Sequence, residues 1–162
     1  MAYLLDANIF MQAKNLHYGF DFCPAFWEWL LARNEASVVY SIEKVGTEIA
    51  QGNDTLSEWA ALRDDRFFLT PDVKVAQALA TVSEWANNQN FTASALNVFL
   101  QAADFYLIAH ALAHGHVVVT HELPSPSLNK IKIPTVCIGL GIKCMSPFEM
   151  LRADKARFVM GA

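Results

Sequence analysis

At 162 residues, 54% of them apolar and including 11 Phe and 4 Trp, the chain can build one sizeable core and is too hydrophobic to be disordered. A formal net charge of −4 argues against a generic nucleic-acid coat. No uncharged apolar stretch reaches the roughly 18 residues of a membrane span, and the first residues carry no secretion signal, so a cytoplasmic location is expected.

Taken in chain order, the pattern alternates short strands with helices. An apolar strand at 2–6 precedes a helix from about Ile9. "CPAFWEWLLARNE" reads as a helix with Pro24 in its first turn and Phe26, Trp27, Leu30 and Leu31 on one side. "SVVY" (37–40) predicts the second strand, and Ser41 the cap of a helix running to about Gln51, where Gly52 stops it. Thr55 and Glu58 have capping-box spacing. "FFLT" (67–70) predicts a short strand, "PDVKVAQALATVSEWANN" a long helix, and a further helix spans about 93–101. "ADFYLIAHALAHG" is a helix ended by Gly115, and "VVVT" (117–120) a strand. A Pro-punctuated loop, a short helix, a strand near "IKCMS" and a helix opened by Pro147 complete the chain. Without a hairpin signal, this alternation predicts a single domain, 1–162: an α/β, three-layer α/β/α sandwich around a mainly parallel sheet. Three cysteines (Cys23, Cys137, Cys144), an odd number with no close pair, fit free thiols in a reducing compartment.

Charge is unevenly spread. Residues 123–162 hold six basic side chains against two acids, which leaves −8 on the first 122 residues. Such a basic end is compatible with a phosphate-bearing substrate and equally with an ordinary solvated surface.

Four acids stand where packing alone would place something else. Asp6 ends the first strand, Glu48 lies beside the apolar stripe of its helix, Asp104 opens the helix that carries Ile108 and Ala111, and Glu122 follows Thr120 just past a strand. Each alone has an ordinary role: a helix cap for Asp6, an anion at a helix N-terminus for Asp104, a solvated acid for Glu48 and Glu122. Together they lie where a parallel sheet gathers ligands, beyond the carboxyl ends of its strands. Two carboxylates about 4 Å apart repel by about 4 kcal/mol at an effective dielectric of 20. Four must take up protons or hold a hard divalent cation, and all-oxygen donors point to Mg²⁺ or Mn²⁺.

The order "LLDAN", "SIEKVGTEI", "AADFYLIAHAL", "VVVTHE" resembles the PIN domain family over nearly the whole chain. PIN domains are metal-dependent ribonucleases, many of them toxins of prokaryotic toxin–antitoxin pairs. The resemblance implies Mg²⁺- or Mn²⁺-dependent hydrolysis of RNA phosphodiester bonds, an antitoxin partner and a homodimer. Residue by residue, Asp6 matches the first aspartate and Asn8 the polar residue that helps orient it. Glu48 matches the glutamate of the second motif, Asp104 the third acid, and Thr120 the threonine before the fourth motif. Glu122 departs from the aspartate common in the family, and leaves open a domain that only binds RNA or protein. Glu43 competes with Glu48 but sits too close to the strand end for the family spacing. Lys130 and Lys132 are candidates for RNA phosphates.

Other constellations have alternative readings. His110 and His114, one helical turn apart, could chelate zinc with His116 nearby, although such histidines more often meet the helix dipole and solvent. Phe20, Phe22, Phe26, Trp27 and Trp29 could stack bases, but their helical spacing favours a core or a dimer contact. A phosphohydrolase with Asp6 as nucleophile lacks the second acid two residues on, where Asn8 stands, and a lysine near Asp104.

Overall fold

In the computed structural model, which describes residues 1–161, the run Tyr3–Leu5 forms β1 and hands over at once to α1 (Ala7–Gln12). A π-helical turn, Ala13–His17, extends α1. Next come α2 (Pro24–Glu35), β2 (Val39–Ile42), α3 (Glu43–Ala50), α4 (Thr55–Ala61) and β3 (Phe68–Leu69). The second half runs α5 (Val73–Asn87), α6 (Ala93–Gln101), α7 (Ala103–His114), β4 (Val117–Val119), α8 (Ile133–Leu140), β5 (Cys144–Met145) and α9 (Pro147–Ala153).

The five strands lie in the order β3-β2-β1-β4-β5, and every pairing is parallel. The chain first winds from β1 to β2 and β3, then returns across β1 to β4 and β5. Strand order therefore reverses between β1 and β4, the position at which open α/β sheets leave a crevice. Parallel strands are covered on both faces, so their side chains are mostly apolar. Leu4, Leu5, Val118 and Val119 are accordingly fully buried. The sheet and its flanking helices form the expected α/β/α sandwich.

Helix α7 is the central helix of one layer, touching β2 and β4 and packed among α3, α5, α6 and α8. Its residues Leu107, Ile108 and Ala109 are inaccessible to solvent. Helix α2 packs on β2, and its Arg33 pairs at 2.8 Å with Asp154, just past α9. Phe26 and Trp27 of α2 are buried, Phe20 stacks on Trp27 at 4.0 Å, and Trp27 Nε1 donates to the Tyr18 carbonyl at 2.7 Å. This aromatic group is mostly core; Phe22 is its exposed member.

Three local expectations change. Strand β2 begins two residues later than 37–40, because Ser37 takes φ 61° in the turn that closes α2, a conformation no strand residue has. Ser41 is therefore a strand residue and not a cap. It is fully buried, and its hydroxyl donates to the Leu5 carbonyl at 2.7 Å, so α3 starts without a side-chain cap. At α4 the capping box is Asp54 with Ser57: the Asp54 carboxylate accepts the Ser57 amide at 3.0 Å, and the Ser57 hydroxyl accepts the Asp54 amide at 2.9 Å. Aspartate is a strong N-cap residue, and Thr55 becomes the first helical position.

All three cysteines are free. Cys137 and Cys144 are nonetheless neighbours across α8 and β5, and the adjacent Cys144 thiol, with burial, pushes the Cys137 thiol well up. No single helix among the described residues is long and apolar enough to cross a membrane.

Candidate functional site

Parallel register builds the site. Leu5 lies beside Val119, so the next residue of each strand, Asp6 and Thr120, leaves the sheet at the same edge. The Asp6 amide donates to the Val119 carbonyl at 3.0 Å, which fixes its backbone. Although Asp6 occupies the N-cap position of α1, its side chain makes no capping bond. It instead accepts the buried Thr120 hydroxyl on Oδ2 at 2.9 Å. Thr120 Oγ1 in turn accepts the Glu122 amide at 3.1 Å. One hydroxyl thus ties the ends of both central strands and aims the loop that carries Glu122.

Asp6 is 2% exposed, too little for hydration to carry its charge. Burial chiefly raises its pKa to about 6, with further contributions from the charges of Glu122 and Glu48, against the lowering influence of Thr120 and the Ala7 amide. Asp104, in the first turn of α7, is raised to about 7 by burial and then by the charges of Asp6, Glu122 and Glu48, with Lys132 opposing. Its carboxyl accepts no hydrogen bond from the described residues.

The four acids therefore act on one another across a single edge. Glu48 contributes from an exposed position on α3. Glu43 instead borders a separate small cavity with Lys44, Pro71, Tyr106 and His110. Glu122 is held: Oε1 accepts the Ile133 amide at the start of α8 at 3.4 Å, and Oε2 lies 3.7 Å from Lys132 Nζ. Lys132 thus bears on two of the acids, while Lys130 is exposed on the preceding loop. Asn8 is exposed and makes no hydrogen bond to Asp6 among the described residues; the orienting role expected of it falls to Thr120. Among the described residues no three His, Cys, Asp and Glu side chains stand ready as a metal-binding group. The acids share an edge and a field.

The histidines of α7 lie elsewhere. His110 is buried and pushed down to about 4 by desolvation and then the His114 charge. His114 Nε2 is 2.8 Å from Asp72 Oδ2, and His116 Nδ1 accepts the Ala2 amide at 3.2 Å.

Sequence reasoning did not single out His17, His121 and Phe148, whose rings meet one another on the side of the loop that carries Glu122 in sequence. They come from three separate elements, so no local spacing could have joined them. The Lys132–Glu122 contact was missed too, although the ten-residue separation of two opposite charges in one loop was a readable sign.

A family model described as "Domain of unknown function (DUF4411)" matches residues 3–158. No curated protein matches the chain, and no solved structure matches it.

Proposed function

We propose that this chain, which belongs to the DUF4411 family, is a divalent-metal-dependent endoribonuclease. The observation that carries the reading is the pair of carboxyls, buried Asp6 and half-buried Asp104, each raised partly by the charges of the other acids at the strand-order reversal. An acidic cluster with more negative charge than Lys132 can offset fits a hard cation, and its all-oxygen donors fit Mg²⁺ or Mn²⁺. Asp6 and Asp104 would hold the ion, with Glu48 and Glu122 beside them. When bound, the ion supplies the positive charge that acidifies a water and neutralises a phosphate oxygen.

The chain's own residues do the positioning. Thr120 holds the Asp6 carboxylate in one orientation through Oδ2. The α8 amide and Lys132 hold Glu122. Lys132 and Lys130 offer positive charge to phosphates approaching from the loop side. No nucleophilic side chain is required for hydrolysis by water, which suits a site built from acids. The likeness to PIN domains supports RNA as the substrate, and also supports a toxin held by a cognate antitoxin, acting as a homodimer.

One observation favours a second reading, a catalytically weak PIN-like domain that binds RNA or protein. Glu122 stands where the family commonly has aspartate, and its carboxylate is already engaged by Lys132 and Ile133.

Incubating the purified protein with single-stranded RNA tests the proposal. Cleavage should require Mg²⁺ or Mn²⁺, stop with EDTA and return on adding metal. Cleavage that survives EDTA overturns the metal mechanism. Absence of both cleavage and calorimetric Mn²⁺ binding favours the binding-module reading.

A further inference from the structure

We infer that His17, His121 and Phe148 form a stacking shelf for a nucleobase of single-stranded RNA, beside the phosphate that meets the acids. This rests on the ribonuclease reading and adds to it how the strand is gripped.

The three rings converge at the carboxyl edge of the sheet from three directions. His17 ends the π-helical turn after α1, His121 lies between Thr120 and Glu122, and Phe148 is in the first turn of α9. The two imidazoles are stacked, with centroids 5.6 Å apart and planes at 27°. Phe148 meets His17 edge-on at 5.3 Å and His121 at 5.8 Å. Nothing else in the fold employs the imidazoles: neither takes part in a hydrogen bond or ion pair among the described residues, unlike His114 and His116. Phe148 remains 36% exposed and His17 is exposed, so the cluster keeps open aromatic surface instead of sinking into the core.

Two features select the occupant. The first is continuity: His121 stands in the chain between Thr120 and Glu122, so the shelf is carried by the same loop as the acid edge. The second is a cation. Arg152 lies four residues past Phe148, on the same side of α9, is exposed, and its charge reaches Tyr18, the neighbour of His17. A cation held by the acids would take one phosphate, the flat rings a base and the guanidinium a further phosphate, an arrangement that matches a single strand. Base–aromatic stacking tolerates any base because every base has a π-face, and bases in a duplex are not free to stack on a protein.

The test uses the full chain in EDTA, so that nothing is cleaved, with a short single-stranded oligoribonucleotide carrying one 2-aminopurine. Wild type should quench the probe. Phe148→Leu keeps apolar bulk but has no π-face, and should lose most of the quenching and bind about tenfold more weakly. Phe148→Trp should retain both. His17→Ala, at an exposed position, gives a second variant whose loss of quenching does not depend on how Phe148 packs, and melting curves confirm that each variant is folded. No quenching by wild type overturns the shelf. So does unchanged quenching and affinity in Phe148→Leu, which leaves the rings to another occupant such as a partner protein. Equal quenching of the same strand in a duplex also overturns it. Cleavage with Mn²⁺ is scored separately: quenching without cleavage upholds the shelf and sinks the nuclease, whereas cleavage with Phe148→Leu quenching unchanged does the reverse.

Discussion

Thr120 and Asp6, 114 positions apart in the chain, are joined by a buried hydrogen bond of 2.9 Å in which the hydroxyl donates to Oδ2. The bond follows from register: Leu5 and Val119 pair, so the residues after them emerge together. Sheet topology thus does the work of bringing an acid and its orienting group to one place, and the same register explains why neither residue could be replaced by its sequence neighbour.

Thr120→Val should therefore be felt at Asp6. The Thr120 bond is the largest influence holding the Asp6 pKa down against burial. Without it the pKa should climb above about 6, and the metal-free protein should lose about 1–3 kcal/mol of stability near neutral pH, where a buried carboxylate is left without its donor. Carboxyl-carbon NMR titration reads the first effect and urea melts the second. An Asp6 titration unchanged by the substitution would show that the hydroxyl is not what orients it.

The second motif offers a choice between Glu48 and Glu43. Glu48 acts on both raised carboxyls, whereas Glu43 borders another cavity. Glu48→Gln should reduce RNA cleavage by about tenfold or more, the scale of a lost charge contribution at a metal site, and Glu43→Gln should change it little. Cleavage assays that reverse this order would move the second acid to Glu43. Asp6→Asn and Asp104→Asn should each abolish cleavage.

Much of this was readable from residues, for reasons that can be named. Alternation of "YLL", "VVY" and "VVV" with helical stretches is enough for a parallel sandwich, because strands covered on both faces are mostly apolar. The acids stood out because each interrupts an apolar pattern at a strand or helix end. What was missed depends on tertiary placement. Ser41 looks like a cap in sequence, but a buried strand hydroxyl donating to the Leu5 carbonyl looks the same locally. Strand β2 was misplaced because Ser37 gives no local sign of its left-handed φ. The grip on Glu122 by Lys132 and Ile133, and the meeting of His17, His121 and Phe148, join elements that only the fold brings together.

Proton competition sets the pH dependence of metal binding. Asp104 at about 7 and Asp6 at about 6 are largely or partly protonated at pH 6, and a cation must displace those protons. Apparent Mn²⁺ affinity should therefore fall by about tenfold or more between about pH 8 and pH 6, most of it from Asp104. Calorimetry in two buffers of different ionisation enthalpy should also register proton release on binding at pH 6.5. Affinity independent of pH across this range would show that the ion does not meet these two carboxyls.

Asp104→Asn separates site from scaffold. The folded pKa of Asp104, about 7, lies above its ordinary value of 3.8. Between about pH 4 and pH 7 the folded state therefore holds more protons at this position than the unfolded chain, so its contribution to stability is greatest below pH 4 and is lost as pH rises through 7. His110, pushed down to about 4, runs in the opposite sense over part of that range, so the curve for wild type alone is not diagnostic. The difference between wild type and Asp104→Asn isolates the aspartate. Asparagine is nearly isosteric with the protonated acid and cannot acquire the charge. The metal-free variant should match wild type below about pH 4, pull ahead as pH rises through 5 to 7, and exceed it by at least about 1 kcal/mol near pH 8, where the aspartate is fully charged. Saturating Mn²⁺ should then raise the melting temperature of wild type much more than that of the variant, because a ligand stabilises only the state that binds it. An Asp104 that merely serves the N-terminus of α7 predicts a flat or slightly destabilised difference curve and equal Mn²⁺ shifts in the two proteins. That pair of results would remove Asp104 from the metal-binding set.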